Sequence, residues 1–356
     1  MLIAGSRKSD WRTLDAETAL PPGLGVVDRR VKALLPPAVL LVGGGVAAAF
    51  DLATDAAYAL WLIAVLAVGM PHGAYDLVAL VEDARRGQTR SALRAASIYV
   101  AIMALCAAAL VAAPSVALIA FLALSAHHFG VSDSVWTRDR LTFSREEHAL
   151  AIARGGLVIA APFAFSPTTA WAPFAAIADA VSPSGWPVFA PFAGIEVGAV
   201  QPIAVGIAAA CVLIVAIGGL RRRRERERWR RIEEGATVLG IVVLSAFAPP
   251  LFAIGVYFVF VHALGHCLRA TTPSQPAAEP SVGNLVRVHI EAGPLLAPSV
   301  AMVVAAALLF APLDRLDAKA FTYAFLLFCA VATLPHHLLW LGRLNRKRHD
   351  QPAPAG

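Results

Sequence analysis

Long apolar runs separated by short polar segments follow one another along almost the whole chain. A helix that crosses the hydrocarbon core of a bilayer needs about 20 predominantly apolar residues, so each run is a candidate transmembrane span. Ten spans is the preferred count, with eight or nine as the alternative, because the first, second and seventh runs are short. The candidate spans lie near residues 35–50, 57–73, 95–113, 115–132, 148–165, 197–220, 235–249, 250–269, 290–311 and 319–342.

Composition agrees with this pattern. Hydrophobic residues make up 58% of the chain and charged residues 15%, and the mean hydropathy is +0.67. A soluble domain carries about 25% charged residues. The apolar runs are rich in Ala, Leu and Val without strict alternation, which favours helices over barrel strands. The predicted fold class is all-α, a polytopic integral membrane helix bundle with about 8–10 transmembrane helices.

Basic residues predict the orientation in the membrane. With the N-terminus in the cytoplasm, the strongly basic loops all fall on the cytoplasmic side, so both termini are predicted to be cytoplasmic in the cell membrane. The connection 166–196 has five prolines, several aromatic residues and no Lys or Arg, and is predicted to lie along the outer interface. The cytoplasmic basic residues are Arg85, Arg86, Arg90, Arg94, Arg138, Arg140, Arg145, the run 221–231, Arg269, Arg287 and the cluster 343–348.

The chain shows no internal repeat and no soluble domain. We predict a basic cytoplasmic tail over 1–34, a multi-pass membrane domain over 35–345 and a cytoplasmic tail over 346–356. The run RRRRERERWRR at 221–231 is interpreted as a cytoplasmic loop at anionic headgroups, and nucleic-acid binding is not expected despite the net charge of +6. The four cysteines form no C-x-x-C pair, so they indicate neither a disulfide framework nor a zinc knuckle.

Four histidine-bearing stretches interrupt the apolar runs at equivalent depths, at 71–73, 127–130, 262–266 and 335–337. Polar groups at membrane depth are costly unless they are paired, coordinate a metal or face a cavity, and imidazole suits iron, copper or zinc. In the predicted topology these stretches occupy the cytoplasmic halves of even-numbered spans and can meet in one plane. The sequence therefore predicts a metal site inside the bilayer.

Spacing identifies the candidate ligands. His262 and His266 are four residues apart, so on a helix both rings project from one face and can bind one metal. Helical neighbours point about 100° apart, so only one member of each adjacent pair can face a common centre. We choose His128 over His127 and His336 over His337, and the other members stay open as alternatives.

Nearby charged and polar residues have secondary roles. Asp76 and Asp133 follow His72 and His128 closely and are candidates for orienting these imidazoles, with simple hydration at the cytoplasmic boundary as the alternative. Arg154 is predicted to extend its side chain toward the inner surface. The remaining histidines, namely His148, His289 and His349, lie at span ends or in the tail and are not expected to be ligands.

Histidine ligands without thiolates, in a chain that lacks a C-x-x-C-H haem motif, fit non-haem iron better than an electron-transfer copper site. Neutral imidazoles leave the charge of Fe(2+) uncompensated and leave positions open for dioxygen. A site within the membrane also implies a lipid-soluble substrate. From the residues alone, the chain is a membrane metalloprotein.

The motifs P-H-G-A-Y-D at 71–76, S-A-H-H-F-G-V-S-D at 125–133, H-A-L-G-H at 262–266 and L-P-H at 334–336 resemble the Brp/Blh family of bacterial and archaeal β-carotene 15,15'-dioxygenases. The resemblance covers roughly residues 57–345. It implies an Fe(2+) enzyme that cleaves the central double bond of β-carotene with O2 to give two all-trans-retinal molecules. It also implies a functional link to a retinal-binding rhodopsin.

Carried over residue by residue, the resemblance makes His72, His128, His262 and His266 the catalytic iron ligands, with His336 as an additional candidate. The sequence departs from the family pattern at His127, Val261 and Gly265, which leaves the exact substrate and cleavage position less defined than the metal. Six aromatic residues near the histidines are candidates for holding the polyene: Tyr75, Phe129, Tyr257, Phe258, Phe260 and Trp340.

Three other interpretations are kept. A desaturase-like or hydroxylase-like membrane oxygenase would hold two irons, but it needs more clustered histidines than the one H-x-x-x-H found here. A haem or metal membrane protein without enzymatic activity would use histidines as axial or pathway ligands. A transporter with incidental histidines would bind no metal and consume no polyene.

Overall fold

A computed structural model describes residues 29–50, 54–138, 144–182, 197–221, 228–269 and 281–349. Within these ranges every long regular element is a helix, as expected where the membrane interior offers the backbone no water to bond. The α-helices are α1 (Arg29–Ala49), α2 (Thr54–Ala64), α3 (Met70–Asp83), α4 (Thr89–Ala112), α5 (Pro114–Arg138), α6 (Arg145–Phe165), α7 (Pro167–Val181), α8 (Val197–Arg221), α9 (Arg228–Phe247), α10 (Pro250–Tyr257), α11 (Leu264–Arg269), α12 (Val282–Ala307) and α13 (Ala318–His349).

Short π-helical segments join several of these helices. Val65–Gly69 connects α2 to α3, Ala84–Gln88 connects α3 to α4, and Phe258–Ala263 connects α10 to α11. In the second segment Gly87 adopts a positive φ of 84°, which marks a true change of direction between α3 and α4. The other two segments continue smoothly into the helices that follow them and carry or precede predicted metal ligands.

The predicted fold class, an all-α membrane helix bundle, is confirmed, while the preferred count of ten spans stays a prediction. Six helical segments among the described residues are long and apolar enough to cross a membrane, and the bent pair Val282–Pro294 and Leu296–Ala307 makes a seventh if it forms one span. Two shorter apolar helices, Leu34–Ala49 and Trp61–Tyr75, cover the first two predicted runs. The six are Ala84–Ala112, Pro114–Val135, Arg145–Phe165, Gly198–Leu220, Pro250–Leu268 and Ala318–Gly342.

The outer helices expose apolar side chains, as a bundle surrounded by lipid does. On α4, Leu105 is 67% exposed, and on α8 Ile203 and Leu213 also point outward. Helices α5, α6 and α10 are more buried and form the interior of the bundle. The largest hydrophobic core joins them to α9 and includes Leu157, Leu244 and Tyr257.

A close crossing of α5 and α6 organises this interior. A methyl group added to Gly130 would lie 2.0 Å from the Ala151 carbonyl oxygen, and one added to Gly155 would lie 1.9 Å from the Ala126 carbonyl oxygen. Both positions must therefore be glycine, because any side chain would push the two backbones apart. The crossing lies one turn or less from His127 and His128.

Several predicted features fall partly or wholly outside the described residues. The described part of the 166–196 connection is helix α7, which packs Phe174 and Ile177 into a core shared with α5 and α6. Residues 183–196, the tail up to residue 28, residues 222–227 of the basic run and residues 350–356 lie outside the described ranges. The division into tails and membrane domain stays a prediction, as does the orientation in the membrane.

The crossing gives a first testable prediction. Gly155→Ala should lower the thermal denaturation temperature of the detergent-solubilised protein by several degrees, because its new methyl group overlaps the Ala126 carbonyl. Gly206→Ala on α8 is the matched control, since no atom lies within 4 Å of the added methyl group. Equal melting temperatures for the two variants would contradict the close crossing.

Candidate metal centre

Five histidine rings from four parts of the chain converge in the interior of the bundle. His72 lies in the first turn of α3, His128 in the C-terminal half of α5, His262 in the π-helical segment, His266 in α11 and His336 in α13. The ring centroid of His72 lies 5.3 Å from the centroid of His262 and 5.3 Å from that of His336. The ring centroid of His128 lies 4.9 Å from that of His262 and 5.0 Å from that of His336. The structure thus brings all five predicted residues together.

The inward-facing nitrogens are the ones a metal would use. A ligand nitrogen from each of His128, His262 and His266 lies within 4.8 Å of the other two. Among the described residues, the buried Nε2 atoms of these three rings have no hydrogen-bond partner. Buried polar atoms are almost always satisfied by protein, water or an ion, so three such nitrogens around one point fit a bound cation. The Nε2 atoms of His72 and His336 are buried as well.

The H-x-x-x-H motif differs from the regular helix that its spacing predicts. Residues 258–263 form a π-helical segment, and His262 lies in it while His266 follows in α11. The two ring centroids are nevertheless only 4.6 Å apart, with an angle of 44° between the planes. Single π-helical turns occur frequently at functional sites because they redirect side chains locally.

Asp133 holds His262 from the outer side. The Nδ1 atom of His262 lies 2.9 Å from Asp133 Oδ1, and the Tyr257 hydroxyl donates a hydrogen bond of 2.6 Å to Asp133 Oδ2. A carboxylate that accepts a hydrogen bond from Nδ1–H fixes the tautomer, so that Nε2 carries the lone pair for a metal. With Asp133 only 1% exposed, the alternative of a hydrated boundary residue is wrong, and Asp133 bonds His262 instead of the predicted His128.

Two of the other rings, His128 and His72, are oriented in a similar way. His128 Nδ1 lies 2.9 Å from His337 Nδ1, so one ring donates to the other, and His72 Nδ1 bonds the carbonyl oxygen of Gly69. Three rings therefore have Nδ1 engaged on the outside of the group. In the second adjacent pair, His336 faces the group while His337 supports His128 from behind, a role that spacing alone could not assign.

Arg154 is not where it was predicted. Its side chain is only 8% exposed and donates to the Ser134 hydroxyl at 2.8 Å and to the Gly130 carbonyl at 3.3 Å. The predicted extension toward the inner surface is therefore wrong. The cause is local, because Ser134 and the Gly130 carbonyl accept hydrogen bonds from the guanidinium at the α5–α6 crossing. A charged group at membrane depth is costly unless it has such partners. The guanidinium also lies close enough to the Asp133 carboxylate to interact with its charge.

Three of the six predicted aromatic candidates border the histidines. The Phe129 ring lies 4.7 Å from that of His262, the Phe258 ring 5.5 Å from that of His72, and the Trp340 ring 5.7 Å from that of His128. Tyr257 instead donates a hydrogen bond to Asp133 through its hydroxyl, a role that residue spacing does not indicate. The fifth, Phe260, is 45% exposed on the outside of the bundle, and the sixth, Tyr75, is half-buried on α3.

The remaining candidates lie elsewhere. His289 places its two ring nitrogens 2.8 Å from the Leu285 carbonyl oxygen and 2.7 Å from that of Ala67, so backbone groups already occupy both. His148 is exposed in the first turn of α6. The side chain of Asp76, the other predicted orienting carboxylate, lies outside the described residues.

The fold and this site define an all-helical membrane protein with a buried polyhistidine centre. A sequence profile described as "Beta-carotene 15,15'-dioxygenase" matches residues 63–341, which include all five histidines. The chain is also 30% identical over 319 residues to "Probable beta-carotene 15,15'-dioxygenase Blh" of Halobacterium salinarum, covering 83% of this chain and 87% of that protein. No solved structure matches the chain. The chain therefore belongs to the β-carotene 15,15'-dioxygenase family.

The hydrogen bond between Asp133 and His262 leads to a prediction about the metal affinity of the centre. Asp133→Asn should weaken binding of a divalent metal by about 10- to 100-fold, because an amide cannot hold the Nδ1 proton of His262 as a carboxylate does. Anaerobic titration of the metal-free protein would measure the change. Asp179→Asn on the exposed side of α7 is the control and should bind as the unaltered protein does. Unchanged affinity in Asp133→Asn would remove Asp133 from the site.

Proposed function

We propose that this protein is a non-haem Fe(2+) dioxygenase that cleaves the central 15,15' double bond of β-carotene with O2 and forms two all-trans-retinal molecules. The observation that carries the proposal is the convergence of five imidazole rings, each with a buried Nε2 atom, in a chain of the β-carotene 15,15'-dioxygenase family. His72, His128, His262 and His266 are the proposed catalytic ligands, with His336 as an additional ligand.

The donor set fits this metal. Imidazole nitrogens suit Fe(2+), and no cysteine sulfur belongs to the group of three histidines whose ligand atoms lie closest together. When bound, iron supplies the site for activating O2 beside the polyene. Asp133, His337 and the Gly69 carbonyl orient three of the rings from outside, which keeps Nε2 directed inward.

The protein surroundings select an apolar substrate. Phe129, Phe258 and Trp340 border the histidines and offer flat apolar surfaces to a conjugated chain. The polyene is soluble in the bilayer, so we propose that it enters laterally from lipid and not from water. His128 and His262 are nearly inaccessible to solvent, so water is kept from the reacting bond.

The reaction balances without a further reductant. One carbon–carbon double bond breaks, two carbonyl bonds form, and both atoms of one O2 molecule end in the two aldehydes. The chain therefore needs no binding site for a nicotinamide or an electron carrier. We further propose that the retinal serves a retinal-binding rhodopsin in the same membrane.

Two alternatives differ in measurable ways. A desaturase-like or hydroxylase-like oxygenase would contain two irons per chain and would require an external electron donor. A haem protein would show a Soret absorption band after purification. One iron per chain and no Soret band are the results that the proposed function requires.

Central cleavage is tested in cells that accumulate β-carotene. Expression of the unaltered protein should bleach the orange colour and yield retinal on chromatography. His72→Ala should leave β-carotene intact because one iron ligand is lost. His349→Ala, at the end of α13, is the control and should cleave normally.

Intact β-carotene in cells that hold well-inserted unaltered protein would contradict the proposed reaction. Aldehydes of other chain lengths would contradict central cleavage alone.

The ligand assignment has its own test. His266→Ala should abolish cleavage and reduce the iron content of the purified protein, while the amount inserted in the membrane stays the same. Metal analysis and membrane fractionation would measure these quantities side by side. Full activity in His266→Ala would exclude His266 as a ligand.

A further inference from the structure

Three further histidines form a file from the metal centre to the surface: His337, His127 and His148. The ring centroid of His337 lies 5.0 Å from that of His128, the His127 centroid lies 5.1 Å from that of His337, and the His148 centroid lies 6.0 Å from that of His127. His337 is buried, His127 is half-buried and His148 is exposed. Exposure thus rises with each step away from the centre.

The file is built from three helices, namely α13, α5 and α6. In each adjacent pair one ring faces the centre and the other faces the file, because helical neighbours point about 100° apart. Each adjacent pair therefore contributes one ring to the metal centre and one to the file. The two pairs are His127 with His128 and His336 with His337. The α5–α6 crossing at Gly130 and Gly155 brings the first turns of α6 close enough for His148 to reach His127.

The proposed reaction uses this file only at its inner end, where His337 orients His128, and gives His127 and His148 no role. Central cleavage releases and consumes no net proton, so the reaction does not require a path for protons between the centre and the surface. The metal, however, must reach the centre after the chain has folded or while it folds. Moving a hydrated divalent ion through apolar packing costs a large amount of free energy. His128 and His262 are only 2% and 1% exposed, so the ion needs polar groups along its way to the centre.

The outer end of the file is suited to a cation. His148 lies in the first turn of α6, where Glu146 is exposed and the Glu147 carboxylate accepts the Ser144 N–H of the helix cap. An exposed carboxylate near an accessible imidazole attracts divalent ions and can supply an oxygen ligand for a first encounter. In the predicted topology this turn lies on the cytoplasmic side of the membrane.

We propose that His148, His127 and His337 form a loading route for a divalent first-row transition-metal ion. The ion binds first at His148 and passes to His127, then to His337 and finally to the centre by exchange of one imidazole for the next. Each step breaks one metal–nitrogen bond and forms another, without a change in oxidation state. The route rests on the proposed metal centre, since it has no purpose without it.

The rate of metal uptake tests the route. Full-length metal-free protein in detergent would be mixed anaerobically with Co2+, whose visible absorption reports ligation, in a stopped-flow instrument. His148→Ala and His127→Ala should each load about tenfold more slowly, as a barrier higher by about 1.4 kcal/mol predicts, yet reach the same final occupancy and spectrum. Ile152→Ala, an exposed residue one turn further along α6, should load at the normal rate.

Loading rates equal to that of the unaltered protein in both histidine variants would overturn the route. A lower final occupancy or a changed final spectrum in His148→Ala would also overturn it, because His148 would then act on the centre itself. Failure of the unaltered protein to bind Co2+ at all would contradict the metal centre, and so would be distinguishable from failure of the route alone.

Discussion

The burial of several imidazole rings in an apolar helix bundle is the constraint on which the rest of this structure depends. Each ring that leaves water for this environment costs free energy unless its nitrogens find partners. The outer nitrogens of His72, His128 and His262 find them in a carbonyl, a second histidine and a carboxylate. A metal ion at the common centre would satisfy the inner nitrogens and make the arrangement favourable as a whole.

Local features of the backbone serve this arrangement. The π-helical segment over 258–263 places His262 against Asp133 while His266 remains within reach of the same centre. The glycine crossing of α5 and α6 lets Arg154 reach the Gly130 carbonyl and the Ser134 hydroxyl. These two hydrogen bonds stabilise the Arg154 guanidinium next to the Asp133 carboxylate. Buried charges of opposite sign near one another are less costly than either alone, so the Arg154 guanidinium offsets part of the cost of burying the Asp133 carboxylate behind His262.

The sequence was sufficient for the helical fold and for the five converging histidines. Apolar runs of helix length and histidines at matching depth are long-range patterns that survive local irregularities. The sequence was not sufficient to predict three other features: the hydrogen-bond partner of Asp133, the burial of Arg154 and the role of His337. Each depends on which helices touch and at what rotation, and the π-helical segment shifts that rotation by an amount that residue spacing does not reveal. Arg154 is buried because the crossing of α5 and α6 places it opposite Gly130 and Ser134. These residues are distant from Arg154 in the sequence, so only the structure shows that they are neighbours.

X-ray absorption at the iron edge, on protein purified anaerobically after expression with iron, tests the central claim most directly. The proposed centre predicts one iron per chain, surrounded mainly by imidazole nitrogens, with no sulfur ligand and no second iron nearby. A protein that retains no iron, or a spectrum dominated by sulfur or by an iron–iron distance, would contradict it.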